Sequence, residues 1–288
     1  MKNALRVVTI VVCGLAAAPA GANLQEGTVS SSGDQRPPAS EGEAHEQDLQ
    51  KDVQNPIANL ISVPFQNNIN YGIGSFDRAS DTLNIQPVIP APITKHIMVV
   101  SRIIVPFVYQ PTTTAAGGGS SGLGDINPTF FFAPAHPGKF IWGFGPSFLV
   151  PTATQRDTGT GKWCAGGAAV ALVQPGHWTI GALAYNLWSF AGASNRNDIN
   201  LMTLQYFVNY NLNKSVYLTS SPILTADWKA DSGDRWLIPV GGGVGAIFKI
   251  GKLPLNGNLS AFWNAVKPDN PPSPDWSLRM QLALLFPR

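Results

Sequence analysis

From about Ile61 to the C-terminus the chain alternates apolar and polar residues in twelve successive stretches, and the connections between them alternate as well. Period-two alternation gives an extended strand one apolar and one polar face. The short connections lie near Pro92 to His96, Pro134 to Lys139, Gln174 to His177, Asn211 to Lys214 and Lys249 to Pro254, and they carry Lys or His but no acid. The long ones lie near Ser75 to Asp81, Gln110 to Gly122, Thr152 to Thr160, Ala191 to Asp198, Lys229 to Asp234 and Lys267 to Asp275, and all but the second contain Asp. An even number of antiparallel strands with short turns at one end and longer loops at the other is the organisation of a transmembrane β-barrel. The expected fold is therefore all-β: an antiparallel barrel of about 12 strands, give or take two, with both termini at the short-turn, periplasmic end.

The alternation is clearest in the last strand, where Trp276, Leu278, Met280, Leu282, Leu284 and Phe286 share one face and Ser277, Arg279, Gln281 and Ala283 the other. Ile61, Val63, Phe65, Ile69, Tyr71 and Ile73 likewise oppose Gln66, Asn68, Asn70 and Gly72, and the same holds for Leu83, Ile85 and Ile89 against Asn84 and Gln86. Further on, Leu204, Tyr206, Val208 and Tyr210 oppose Thr203, Gln205, Asn209 and Asn211, and Leu255, Leu259, Ala261 and Trp263 oppose Asn256, Asn258, Ser260 and Asn264. In a bilayer the apolar face meets lipid and the Asn/Gln/Ser face lines the lumen. Residues 61 to 286 shared among twelve strands leave about 19 residues for each strand and its connection, against roughly 9 to 11 for a tilted crossing. Trp142, Trp163, Trp178, Trp188, Trp228, Trp236, Trp263, Trp276, Tyr71, Tyr109 and Tyr217 fall mostly near strand ends, as interfacial aromatic girdles do.

Prolines run against this pattern. Pro64, Pro87, Pro106, Pro128, Pro146, Pro222 and Pro239 fall inside the expected strands. Proline cannot donate to a ladder and a closed barrel has no edge to hold it, so bulges, kinks or strand ends are expected near them. Gly143, Gly145, Gly166, Gly167, Gly241, Gly243 and Gly245 are small residues that allow the wall to curve or leave room for a ligand.

The N-terminus has the form of an export signal: Lys2 and Arg6, the apolar run Val7 to Ala18, and the small-residue site Ala20-Gly21-Ala22 with cleavage expected before Asn23. The run is shorter than the roughly 20 apolar residues of a spanning helix, and every later apolar run is broken by polar residues, Gly or Pro. Val12, directly before Cys13, is too bulky for a lipoprotein signal. Cleavage would leave Cys164 alone, which excludes a disulfide framework and a cysteine metal site. Residues 23–56 follow as an acidic segment expected to be disordered and periplasmic, with a short helix around Glu43 to Val53. They hold Glu26, Asp34, Glu41, Glu43, Glu46, Asp48 and Asp52 against Arg36 and Lys51, with few aliphatics. This segment is either a spacer or a partner-binding or plug segment. Residues 57–288 form the barrel.

Catalytic and cofactor patterns are lacking. The glycine runs Gly117 to Gly122 and Gly241 to Gly245 precede no helix; the first reads as a flexible loop suited to a mobile lid. His96, His136 and His177 lie singly in three short turns and read as solvated, not as metal ligands. A barrel phospholipase would need a His near the outer strand ends. The remaining candidates are inward polar residues: Arg102, Asp125, Asn127, Gln205, Asn209, Arg279 and Gln281. A lipid-facing arginine at mid-membrane costs about 2–4 kcal/mol, so both arginines should point inward. They form either an internal Arg–Asp brace or a constriction or binding site for a passing solute. No catalytic role, cofactor or metal is expected, and no nucleic-acid partner; the partners expected are outer-membrane lipid, the outer-membrane assembly machinery and a small-molecule solute.

Residues 54–68 (Gln-Asn-Pro-Ile-Ala-Asn-Leu-Ile-Ser-Val-Pro-Phe-Gln-Asn-Asn) and 122–132 (Gly-Leu-Gly-Asp-Ile-Asn-Pro-Thr-Phe-Phe-Phe) carry a family resemblance. So do residues 159–163, 188–192, 208–212, 217–223 and 239–245. Over about residues 54–288 the chain resembles the Gram-negative outer-membrane "transporter" proteins similar to the MetA-type phenol-degradation family, sometimes mislabelled neuromedin U. The resemblance implies a porin-like barrel that moves small molecules, aromatic or otherwise hydrophobic ones included. It supplies no catalytic or ligand-binding residues. The alternative is a structural or surface-recognition barrel with a closed lumen.

Overall fold

The computed structural model describes residues 49–287. The expected signal peptide, residues 1–22, and residues 23–48 of the acidic segment lie outside the described residues. The strands are β1 (Ile61–Ile73), β2 (Arg78–Ile85), β3 (Val88–Pro92), β4 (Ile97–Pro111), β5 (Gly119–Leu123), β6 (Asn127–Pro134), β7 (Phe140–Leu149), β8 (Lys162–Val173), β9 (Trp178–Gly192), β10 (Asn200–Asn211), β11 (Val216–Ser220), β12 (Ile223–Asp227), β13 (Trp236–Ile250), β14 (Leu253–Val266) and β15 (Trp276–Phe286). Each pairs antiparallel with its neighbours. β15 returns to β1 in an unbroken register from Ile61↔Phe286 to Tyr71↔Trp276, which closes the barrel.

The fifteen segments make twelve crossings, because β2 with β3, β5 with β6 and β11 with β12 are each one stave interrupted midway. Two interruptions fall at Gln86–Pro87 and Ser221–Pro222, where proline removes a ladder donor. The third covers Gly124 and Asp125, just before Pro128, with only the bridge Ile126↔Val150 between the two pieces. Pro239 sits at a register shift against β14. Pro64, Pro106 and Pro146 lie within strands, and the β6–β7 ladder beside Pro146 holds only Thr129↔Ser147 and Phe132↔Phe144. Glycine allows strands to approach closely where the wall bends: a Cβ on Gly166 would stand 1.7 Å from the Asn186 carbonyl oxygen, and one on Gly243 1.9 Å from that of Leu259.

At one end the connections are residues 93–96, 135–139, 174–177, 212–215 and 251–252; at the other they are 74–77, 112–118, 150–161, 193–199, 228–235 and 267–275. The asymmetry expected from the sequence holds, with two corrections. The first long connection shrinks to residues 74–77, because β2 starts at Arg78 and takes in Asp81. The Gly/Ser segment expected as a mobile lid is mostly strand, since Gly119 to Leu123 pair with Pro111 to Phe107. Its remaining loop is held by Arg78, whose guanidinium donates to the carbonyls of Ala116 and, at 2.7 Å, Gly118.

Outward residues form an exposed apolar band that includes Phe65, Leu83, Phe107, Phe144, Leu218, Leu259, Met280 and Leu282. A contiguous band of this kind around a whole barrel is a lipid-facing surface. Aromatic pairs flank it: Tyr71 stacks on Trp276 at 4.3 Å and Trp228 meets Trp236 at the long-loop end, while Trp178 meets Tyr210 at 4.7 Å at the short-turn end. Tyr217 does not join these girdles; it is buried and donates its hydroxyl to Asn256 Oδ1 at 2.9 Å.

Candidate solute-binding lumen

The inward side chains are mostly polar on one side of the barrel. Gln66, Thr203, Asn209, Asn256, Ser260 and Arg279 are buried there. Across the lumen the inward side chains are apolar: Met98 and Val100 of β4, Phe131 and Ala133 of β6, Ile141 of β7, Ala168, Val170 and Leu172 of β8, and Leu183 of β9 form one cluster with Phe207 of β10. The lumen is amphipathic across its width.

Residues 49–60 occupy its short-turn end. A helical turn over 49–53 places Leu49 and Val53 on one face, four residues apart, and they pack with Ala58 and Leu60 against Ala283, Leu285 and Ile247. Ile57 enters the apolar cluster, its Cδ1 filling the space a Cβ on Gly143 would approach to 3.2 Å. Three amides hold the segment to the wall. Gln50 Nε2 donates to the Asn213 carbonyl at 3.0 Å, Gln54 Nε2 to Asn211 Oδ1 at 2.7 Å, and Gln174 Nε2 to the Lys51 carbonyl at 2.8 Å. Residues 49–56 are thus ordered against the wall and not disordered, and the helical turn over 49–53 falls within the short helix expected around Glu43 to Val53, the rest of which lies outside the described residues. Leu49, Val53 and Ile57 recur every fourth residue: Leu49 and the partly buried Val53 pack in one cluster and Ile57 in another, apolar anchors hidden within an acidic composition.

Beside this inner segment lies a cavity of about 180 Å³, lined by Arg102, Gln205, Asn209, Arg279 and Gln281 of the expected set, by Tyr217 and Asn256, and by Leu183, Phe207 and Val53 on its apolar side. A second cavity of about 120 Å³ shares Val53, Pro56, Arg102 and Gln281. Both arginines lie next to strand breaks. Arg102, opposite Val88 in the β3–β4 ladder, donates from Nη2 to Gln86 Oε1 at 2.8 Å. Arg279 donates from Nε to Asn68 Oδ1 at 3.0 Å, directly opposite on β1, and from Nη1 to the Ser221 carbonyl at 2.7 Å. That carbonyl precedes Pro222, where the strand is interrupted. The Arg279 guanidinium also lies 4.8 Å from the centroid of the Phe262 ring.

Asp125 and Asn127 are not part of this cavity. Asp125 accepts the Thr160 amide and hydroxyl, both at 2.6 Å, and the Ala153 amide at 3.2 Å, so it braces the 150–161 loop. Asn127 Nδ2 donates to Ser147 Oγ at 3.1 Å, joining β6 to β7. The expected Arg–Asp brace is thus replaced by two systems: amides and a carbonyl around the arginines, and backbone donors around Asp125. Asp125 sits in the break between β5 and β6, within reach of the outer loop, rather than at an inward strand position. On the same loop side, Arg196 Nε donates to the Thr160 carbonyl at 2.9 Å, and Lys162 Nζ meets Asp198 Oδ1 at 3.1 Å. The hydrogen bond and the charge of Lys162 hold the Asp198 carboxyl below the ordinary aspartate value.

Sequence reasoning placed Gln54 and Val53 in the tail and Tyr217 in a girdle. Two signals pointed the other way: the fourfold spacing of Leu49, Val53 and Ile57, and the position of Tyr217 an odd number of residues from outward Leu218.

No protein-family model matches the chain, and no curated protein matches it in sequence. Among solved structures it is similar to an outer membrane channel from Pseudomonas putida F1, with a TM-score of 0.57 and 14% identity over 79% of this chain and 94% of that one. The likeness shows a shared barrel fold. Weaker similarities are to the monoaromatic hydrocarbon channel CymD (TM-score 0.40, 10% identity, 82% of this chain and 91% of that one) and to outer membrane phospholipase A of Escherichia coli (TM-score 0.39, 9% identity, 79% and 96%). At those scores neither bears on what this chain does.

Proposed function

We propose that the chain is an outer-membrane barrel that passes small molecules, hydrophobic or aromatic ones included, without chemical change. It is exported by a signal peptide cleaved before Asn23, and its short turns face the periplasm. The observation that carries the reading is a lumen with one apolar and one polar wall, holding a cavity beside a segment fastened mainly by side-chain amides. Such a lumen wets a solute's polar end while sheltering its apolar body. The resemblance to the MetA-type phenol-degradation proteins supports an aromatic solute. His96, His136 and His177 all lie at the short-turn end, so among the described residues no histidine stands near the outer strand ends for lipase chemistry.

The test is solute-dependent swelling of liposomes carrying the full chain, in sugars, amino acids and phenols. Swelling graded by solute supports passage. The packing of Phe131 and Ile57 favours a second reading, a barrel closed by its own side chains. Uniform absence of swelling, with the barrel folded, selects that reading.

A further inference from the structure

Arg102 and Arg279 line one cavity, and among the described residues neither has a carboxylate partner. The ion pairs of Lys162 with Asp198 and of Lys267 with Asp275 both join loop carboxylates. Among the described residues no acid lines the cavity that the arginines share, and Asp52 borders only the adjacent one. Guanidinium carries five N–H donors in a planar fork. Gln86 engages Arg102 at one nitrogen, and Asn68 and Ser221 engage Arg279 at two, which leaves donors on each free to meet a ligand. Two like charges within a low-dielectric wall raise the local concentration of counter-ions, and burying them without an anion is costly.

We propose that this cavity is a carboxylate-binding site and that the passing solute is a monocyclic aromatic or similarly small apolar carboxylate. The forked donors match a carboxylate's two oxygens. Leu183, Phe207 and Val53 offer an apolar wall to the ring, and the volume of about 180 Å³ is of the size that admits a single ring, since an apolar cavity of roughly 150 Å³ takes up benzene. The amides of Gln205, Asn209 and Gln281 hold neither charge nor counter-charge, so the cavity is positive as a whole.

The inference rests on the passage reading, and two measurements separate their failures. Calorimetric titration of the detergent-extracted full chain with sodium benzoate and with benzyl alcohol reads the site alone. Benzoate is expected to bind about tenfold or more tightly than benzyl alcohol, and Arg279→Gln or Arg102→Gln to weaken benzoate by about tenfold or more and benzyl alcohol by far less. Arg279→Lys keeps the charge and loses the fork, so an intermediate affinity is expected, and it stands in for the Gln variant if that one fails to show the heat-dependent gel shift of a folded barrel. Equal binding of the two ligands, or benzoate affinity unaltered by loss of either guanidinium, would overturn the site. Flux of both solutes into proteoliposomes then reads passage. Benzoate that binds but does not cross leaves the site standing and removes passage; crossing without preference for benzoate, and without binding, does the reverse.

Discussion

The two sides of the lumen differ in what they ask of a strand. On β1, β10, β14 and β15 most inward residues are Asn, Gln, Ser, Thr or Arg, interrupted by Phe207, Phe262, Ala283 and Leu285, and the outward ones are apolar, so the strands largely alternate. Along β6, β8 and β9 both faces are largely apolar: Phe131 points inward between outward Phe130 and Phe132, and Val170 and Leu172 are buried inside as Ile180 is exposed outside, with Asn127, Thr129, Lys162 and Thr179 as buried polar exceptions toward the strand ends. Alternation records a difference in solvent across a wall, and it vanishes where lipid outside is matched by packed apolar side chains inside, as in a sheet buried on both faces. A membrane barrel can therefore carry a small core of its own.

That contrast can be broken at several points. The largest effect is expected where backbones touch. Gly166→Leu and Gly243→Leu would drive a side chain into a neighbouring strand's carbonyl, so the folded, heat-shifted gel band should be lost in both, whichever side they lie on. Next is the apolar side. Phe131 is fully buried, and Phe131→Ala should lower unfolding free energy in lipid vesicles by about 3–5 kcal/mol. Ile57→Ala should cost about 2–5 kcal/mol at most and loosen the inner segment, read as increased conductance. The polar side should behave differently: Asn209→Ala should change stability by only about 1 kcal/mol and act mainly on solute preference. A stability loss there as large as that of Phe131→Ala would erase the distinction between the sides.

The smallest effect belongs to the outer loops. The Asp198 carboxyl is depressed by Lys162, so the pair's contribution is present above the ordinary aspartate pKa, about 3.9, and fades as pH falls through the lower folded value. Asp198→Asn should lower the melting temperature slightly at pH 7, by less in high salt, and not at all at pH 2.

How much of this was legible follows the same line. The closed twelve-crossing barrel, the sidedness of its connections and the inward position of Arg102, Gln205, Asn209, Arg279 and Gln281 were readable, because alternation marks them directly. The breaks at Pro87 and Pro222 were readable too, from the missing N–H. Asp125 was misassigned because a strand break makes its parity meaningless, and the backbone amides of a loop far along the chain satisfy it. The packing of the inner segment was hidden by averaging: Leu49, Val53 and Ile57 are diluted in an acidic stretch, and only their spacing gives them away. The Gly/Ser run read as a lid because composition does not show that β4 offers it a ladder.

The most direct test is conductance across planar bilayers of the full chain and of a form lacking residues 23–56, both shown to be folded by their heat-dependent gel shift. A lumen stoppered by the inner segment predicts small or intermittent currents for the full chain and larger, steady ones for the shortened form. Equal, negligible currents from both would mean that the wall itself closes the lumen, and the account of a passage would be contradicted.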